Sequence, residues 1–127
     1  MHSKLVIPCV AAAATTAYRI AAFAAPATDT SVQNATGPTA ALAGIFGPIA
    51  HDAADVADVQ VEGEAEVVLG GTVTAGAFLT SDAQGRAVAL TPPGAGVTHF
   101  GIAKALQPGV IGDRIKVHLT PMLLRGA

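Results

Sequence analysis

Four side chains able to hold a cation or move a proton fall close together at His51, Asp52, Asp55 and Asp58. On a helix, carboxylates three apart share one face, and clustered carboxylate oxygens are the ligands a hard cation such as calcium takes. The segment lacks the Asp-x-Asp-x-Asp-Gly order that wraps a loop around the ion. It therefore reads as solvated acids in a polar loop, with a short helix over 51–57, and no metal site is assigned. The other histidines, His2, His99 and His118, make no His-x-x-x-His pair, and Cys9 is the single cysteine, so zinc finds no ligand set. Cys9 and His51 are a nucleophile and a base without local support, and Cys9 in its Ala-rich setting reads as a buried spectator thiol. Ser3, Ser31 and Ser81 sit in no Gly-x-Ser-x-Gly elbow. No Gly-rich loop ends in Lys-Ser/Thr. The expectation is a chain with no catalytic, cofactor-binding or metal-ligating residues, and not an enzyme. Asn34-Ala35-Thr36 is a glycosylation sequon, which has meaning only in a eukaryotic secretory pathway.

The elements carrying these residues have the period-two pattern of strands. In the segment 114–120, Ile115, Val117 and Leu119 alternate with polar residues, which puts a core face and a solvent face on one strand. Asp58-Val59-Gln60-Val61-Glu62 repeats the pattern, and after Gly63 it resumes at Glu64-Ala65-Glu66-Val67. The segments 77–80 and 86–90 flank Ser81-Asp82-Ala83-Gln84-Gly85, a hairpin in which Gly85 supplies positive φ. Thr91-Pro92-Pro93-Gly94 ends the second arm, since proline cannot donate to a ladder. An early strand is expected over 16–24 and a loop over 26–38, where Thr, Ser, Gly, Asn and Pro dominate. Gly44-Ile45 before Asp58-Val59-Gln60-Val61 is echoed by Gly101-Ile102 before Arg114-Ile115-Lys116-Val117, at a spacing that agrees to within one residue. The physical reading is two similar strand–loop–strand units in one barrel. Many short strands with Gly/Pro turns describe an all-β chain, a small barrel or sandwich.

The 127 residues suit one domain. Apolar residues reach 51%, but aromatics only 4%, and there is no tryptophan. The core must be built from Val, Ile, Leu and a few Phe, each worth roughly 1.5–3 kcal/mol when fully buried. So thin a core gains from oligomerisation. A net charge of −2 provides no basic footprint for nucleic acid and no polybasic membrane anchor. No run reaches the roughly 20 apolar residues of a membrane-spanning helix. A lone cysteine excludes a disulfide scaffold and suits a reducing cytoplasm. Charge is segregated along the chain: Asp52, Asp55, Asp58, Glu62, Glu64 and Glu66 have no Lys or Arg among them, while Lys104, Arg114, Lys116 and Arg125 make the end basic. Acidic and basic strands can pair within a chain or between subunits, and between subunits they would set register and partner.

The run from Glu66-Val67-Val68-Leu69-Gly70-Gly71 through Val73, Gly76 and Leu79 to Ser81-Asp82-Ala83-Gln84-Gly85-Arg86-Ala87-Val88 resembles a family of tailed-phage capsid decoration (cement) proteins, formerly a domain-of-unknown-function family. The family's close is matched by Gly101-Ile102-Ala103 and by Gly112-Asp113-Arg114-Ile115-Lys116-Val117. Tyr18-Arg19-Ile20 and Leu42-Ala43-Gly44-Ile45 are also similar, so the likeness spans about residues 16 to 120. It implies a small, β-tulip-like β-barrel with an extended N-terminal arm: residues 1–15 as an arm that can flex and that the family's pattern does not include at this length, and 16–127 as a single barrel domain. It further implies a homotrimer at local three-fold sites on the outside of an expanded phage head. There it bridges major capsid proteins and stabilises the shell, with no nucleic acid, membrane or small-molecule partner, after synthesis in the host cytoplasm.

Two other readings compete. Met1 to about Ala25, with Lys4 ahead of Leu5-Val6-Ile7, has the order of a signal peptide on a secreted bacterial β-module, although Pro8, Thr15-Thr16 and Arg19 interrupt its apolar run. Gly71 to Leu79 also resembles the hairpin of lipoyl and biotinyl carrier domains. Those domains need a lysine at an exposed hairpin tip, and Lys4, Lys104 and Lys116 lie elsewhere.

Overall fold

The computed structural model describes residues 5–24, 31–91 and 93–125. Among the described residues ten strands form: β1 (Leu5–Ala11), β2 (Ile20–Phe23), β3 (Ser31–Asn34), β4 (Leu42–Phe46), β5 (Val56–Glu62), β6 (Glu64–Val68), β7 (Phe78–Ser81), β8 (Ala87–Ala89), β9 (Thr98–Ala105) and β10 (Arg114–Arg125). The first five close into a barrel in the order β1-β3-β2-β4-β5, and the last five form a second sheet in the order β6-β10-β9-β7-β8. The all-β, small-barrel expectation holds. The second sheet is the part the expectation of a single barrel over 16–127 did not contain.

Closure depends on β1. It runs antiparallel to β5 from Leu5–Glu62 to Val10–Val56 and turns parallel to β3 at Val10–Ser31 and Ala11–Val32. The segment expected to be an arm is thus a barrel strand from Leu5 to Ala11. Among the described residues β1 pairs at Pro8 with β5 alone, opposite Asp58, and proline is tolerated where its nitrogen is not needed as a ladder donor. Inside the barrel, Cys9, Ala11, Ala21, Val32, Phe46 and Val59 pack together with Ala57. A cut near Ala25, as the secreted reading requires, would remove both β1 and β2 and leave the barrel open.

The barrel's β2–β4 wall has two apolar faces. Ala21 and Phe46 point in, while Ile20, Ala22 and Ile45 point out and join the larger core beneath the second sheet. That sheet offers its inner row Leu79–Ala103–Leu119, in register across β7, β9 and β10, together with Val67, Ile115 and Val117. A parallel bridge of Leu69 to Ala87 brings the end of β6 back beside β8, so this sheet curls almost into a second closed unit.

Three sequence expectations change. The strand expected over 16–24 is confined to Ile20–Phe23. The loop expected over 26–38 contains β3, where Val32 is fully buried. The short helix over 51–57 is a turn: Ala54 takes φ of 72°, its N–H donates to the Ala11 carbonyl (2.7 Å), and the Ala11 N–H donates to the Asp55 carbonyl (2.9 Å). Pairing with β1 outweighs helix formation there. The internal echo corresponds to two antiparallel pairs, β4 with β5 and β9 with β10, but the first lies in the barrel and the second in the other sheet, so the two units do not share one barrel.

Candidate functional site

The acidic segment does not assemble into a cage. The Asp55 carboxylate accepts from the Asp52 N–H (3.3 Å) and stays within its own turn, while Asp58 lies on the barrel exterior opposite Pro8. Among the described residues no three His, Cys, Asp or Glu side chains converge as metal ligands. His51 is used structurally: its N–H donates to the buried Thr15 hydroxyl (3.0 Å), and its carbonyl accepts from the Thr15 N–H (2.8 Å). Cys9 lies inside the barrel at 2% exposure. Burial pushes its thiol above the usual value, and the nearby Asp58 charge adds to the shift. His99 donates to or accepts from nothing catalytic; its ring nitrogen meets the Thr91 carbonyl at 3.1 Å. Asn34 of the sequon bonds the Thr16 hydroxyl through its amide (3.1 Å). Ser81 is buried and donates to the Asp82 carbonyl (2.8 Å). Lys104 and Lys116 stand within strands β9 and β10, not at a hairpin tip. His2, Ser3 and Lys4 lie outside the described residues.

The turn that carries the family resemblance is the most organised polar feature. Asp82 Oδ1 accepts from the N–H groups of Gln84 (2.9 Å) and Arg86 (2.8 Å), and Oδ2 accepts from Arg86 Nε at 2.8 Å. An aspartate closing its own turn is a local hydrogen-bonding pattern. Here it also reaches across the sheet. A Cβ on Gly70 would lie 2.2 Å from Asp82 Oδ2, so only glycine at 70 leaves room for the carboxylate. Gly85, at φ +79°, presses its Cα against the barrel, where a Cβ would be 3.3 Å from the Ile20 carbonyl and 3.4 Å from that of Ala35. The Gly85 carbonyl accepts from the Ile20 N–H (2.7 Å), and Arg19 Nη1 donates to the Gln84 carbonyl (2.9 Å). The hairpin tip is a clamp between sheet and barrel.

A second junction is a cleft of about 400 Å³ between the two units. Tyr18, Pro48, Gln60, Glu64, Glu66 and Lys116 are among its lining residues. Tyr18 holds φ at 59°, and the Arg114 guanidinium covers its ring at 4.4 Å, a cation–π arrangement. Gln60 Nε2 donates to the carbonyls of Glu62 and Glu64 and so pins the Gly63 corner, where φ is 90°. The acidic and basic strands noted in the sequence are neighbours: Glu66 lies opposite Lys116 and Glu64 opposite His118, and Arg114 Nε meets Glu66 Oε1 at 3.4 Å. Each such exposed pair is worth about 0–1 kcal/mol, enough to favour this register and too little to build a site.

The outer surface also carries exposed apolar side chains. Val6, Val10 and Val56 are exposed on the barrel wall, Ile49 at one loop, Val110 and Ile111 at another, and Phe78, Leu106 and Leu123 on the second sheet. A groove of about 310 Å³ next to Phe78 is lined by apolar side chains, including Leu90, Met122 and Leu124. Sequence periodicity places the strand residues on outward faces; it does not show that several outward positions are apolar and adjacent, because that depends on register.

No family model matches the chain, so the cement-protein resemblance rests on the residues quoted for it, and no curated protein matches it either. Among solved structures, it is similar to the head fiber gp8.5 N base of bacteriophage phi29, with a TM-score of 0.68 and 17% identity over 93% of this chain and 95% of that one. At that identity the likeness establishes a shared fold across essentially the whole of both chains, both sheets included.

Proposed function

We propose that this chain is a structural protein of a tailed-phage head. In this reading it binds the outside of the expanded shell as a homotrimer at local three-fold sites, bridges major capsid proteins and stabilises the particle. The observation that carries the reading is the whole-chain fold likeness to a phage head fiber base. The motif run from Glu66 to Val88 points independently to phage head decoration. The chemistry of the molecule is consistent with both. Asp82, Arg86, Arg19 and Gln60 are engaged in turns and junctions, and the exposed surface carries several apolar side chains suited to contact with other subunits. Weak contacts repeated over a symmetric shell sum to strong attachment.

The test is quantitative mass spectrometry of purified virions, with this chain counted against the major capsid protein. The expected result is a copy number of the order of the capsid protein's, and particles lacking the chain that lose integrity at lower temperature or lower salt. Absence from particles would overturn the reading. Particles equally robust without the chain would remove the stabilising role.

A further inference from the structure

The barrel's β1–β5 wall is both apolar and acidic. Val6, Pro8 and Val10 alternate outward on β1, and Val56 and Asp58 do so on β5, with Val10 opposite Val56 and Pro8 opposite Asp58. Val6, Val10 and Val56 are 45%, 41% and 61% exposed. Asp52 and Asp55 adjoin one end and Glu62 the other. Among the described residues from Leu5 to Glu62 the one Lys or Arg is Arg19, and it is engaged with Gln84 across the junction. Two such walls placed face to face would oppose carboxylate to carboxylate, which is unfavourable.

The complementary surface is on the other sheet. Phe78, Lys104 and His118 are register partners across β7, β9 and β10. They form an outward row directly behind the buried row Leu79–Ala103–Leu119. Leu106 is exposed beyond Lys104, and Lys116 follows His118 on the same face of β10. Lys104 takes part in no ion pair among the described residues. Glu64 and Glu66 stand opposite His118 and Lys116 on the β6 edge of this face, so its unanswered positive charge among the described residues is Lys104, beside the exposed Phe78 and Leu106, as Asp58 stands among the exposed valines of the wall.

We infer that the acidic β1–β5 wall of one copy docks on the Phe78–Lys104–His118 face of the next. The inference rests on the homotrimer reading and names its interface. The two surfaces differ, so the contact is head-to-tail and closes into a ring only if the rotation allows. Desolvated valines and Phe78 would supply the attraction, and Asp58 with Lys104 would supply orientation and partner choice.

Sedimentation equilibrium of the full chain at low and high salt tests this, with Asp58→Lys, Lys104→Glu and the double charge swap. Each single reversal is expected to weaken self-association at least tenfold, with the circular dichroism spectrum unchanged. The double swap is expected to recover most of the loss, because a restored pair also shows that both single variants fold. A wild-type chain that stays monomeric throughout, single reversals that leave association intact, or a double swap no better than the singles would each overturn the inference. Virion counting is a separate readout: a chain that self-associates through these faces but is missing from particles would refute the capsid reading and leave this interface standing.

Discussion

Gly70 and Asp82 compete for one space, and replacing each with alanine, singly and together, measures how much of the turn depends on that competition. Asp82→Ala removes three hydrogen bonds of 2.8–2.9 Å. The Gln84 N–H is exposed and can turn to water, but the Arg86 N–H is partly buried and loses its acceptor. With the Asp82 and Arg86 side chains 16% and 28% exposed, the charged bonds are only partly screened, and the expected cost is about 2–3 kcal/mol. Gly70 has no special φ to protect, so alanine there acts through contact alone. Its Cβ at 2.2 Å from Oδ2 and 3.1 Å from Arg86 Cβ must expel the carboxylate, forfeiting the same bonds at about the same cost. In the double variant the second replacement has little left to break. Its loss should stay near about 3 kcal/mol where the sum of the singles is about 4–6, a coupling of roughly 2 kcal/mol. Urea titrations read this as shifts in midpoint at constant slope. Losses that add to within about 0.5 kcal/mol would show that Gly70 and Asp82 act independently and that the steric account of Gly70 is wrong.

Two further outcomes follow from the barrel. A Cβ on Gly44 would lie 2.3 Å from the Gln60 carbonyl oxygen and 2.7 Å from Val59 Cγ1; because the obstacle includes backbone, Gly44→Ala should part β4 from β5 and cost on the order of 3 kcal/mol or more, whereas Gly47→Ala, with nothing within 4 Å, should leave the thermal midpoint nearly unchanged. Cys9, whose thiol burial holds above the ordinary value of 9.0, should alkylate far more slowly in the folded chain than in urea at pH 8. Since the folded state keeps the Cys9 proton longer than the unfolded state does, this group's contribution is fully present below pH 9 and is lost as pH rises through the higher folded value; chemical denaturation of wild type against Cys9→Ala should show that extra alkaline loss in the wild type alone.

The strands readable from the sequence are those with one wet face. In β10, Ile115, Val117 and Leu119 go in while Arg114, Lys116 and His118 go out, so composition alone separates the two faces. The β7–β8 hairpin was legible through Asp82 and Gly85, whose turn roles follow from their chemistry. β2 and β4 hide this signal because both their faces are buried: Ala21 and Phe46 point into the barrel while Ile20, Ala22 and Ile45 pack under the second sheet. An element apolar on both sides shows no alternation, and with it the division into two sheets was lost. β1 was concealed by Pro8 and by the alanine run from Ala11 to Ala14 that follows it, although Pro8 sits in register with β5 opposite Asp58. β3 offers one buried hydrophobic residue, Val32, in a polar setting. The acids at 52, 55 and 58 misled in the opposite direction, because a spacing that stacks on a helix means nothing once Ala54 turns with positive φ and the chain pairs with Ala11.

The motif run that carries the resemblance is built into the architecture. Asp82 has its hydrogen-bonding capacity taken by its own turn and by Arg86, and Gly85 presents backbone to the barrel where a side chain would stand off the contact. The Arg19 guanidinium reaches from β2's approach to the far side of that turn. Substitutions in this turn are therefore expected to loosen the contact between the two units. The cleft at the second junction is similar: Glu66 answers Arg114 and Lys116, and Arg114 also covers Tyr18. Once these groups are assigned, the features of the described surface that remain without an internal purpose are the apolar side chains on the outer walls of both sheets, together with the opposite charges beside them. Burying such side chains in the folded monomer would have been more stable by roughly 25 cal/mol for each Å² of apolar area removed from water. Their placement outside is consistent with the proposal that other subunits cover them.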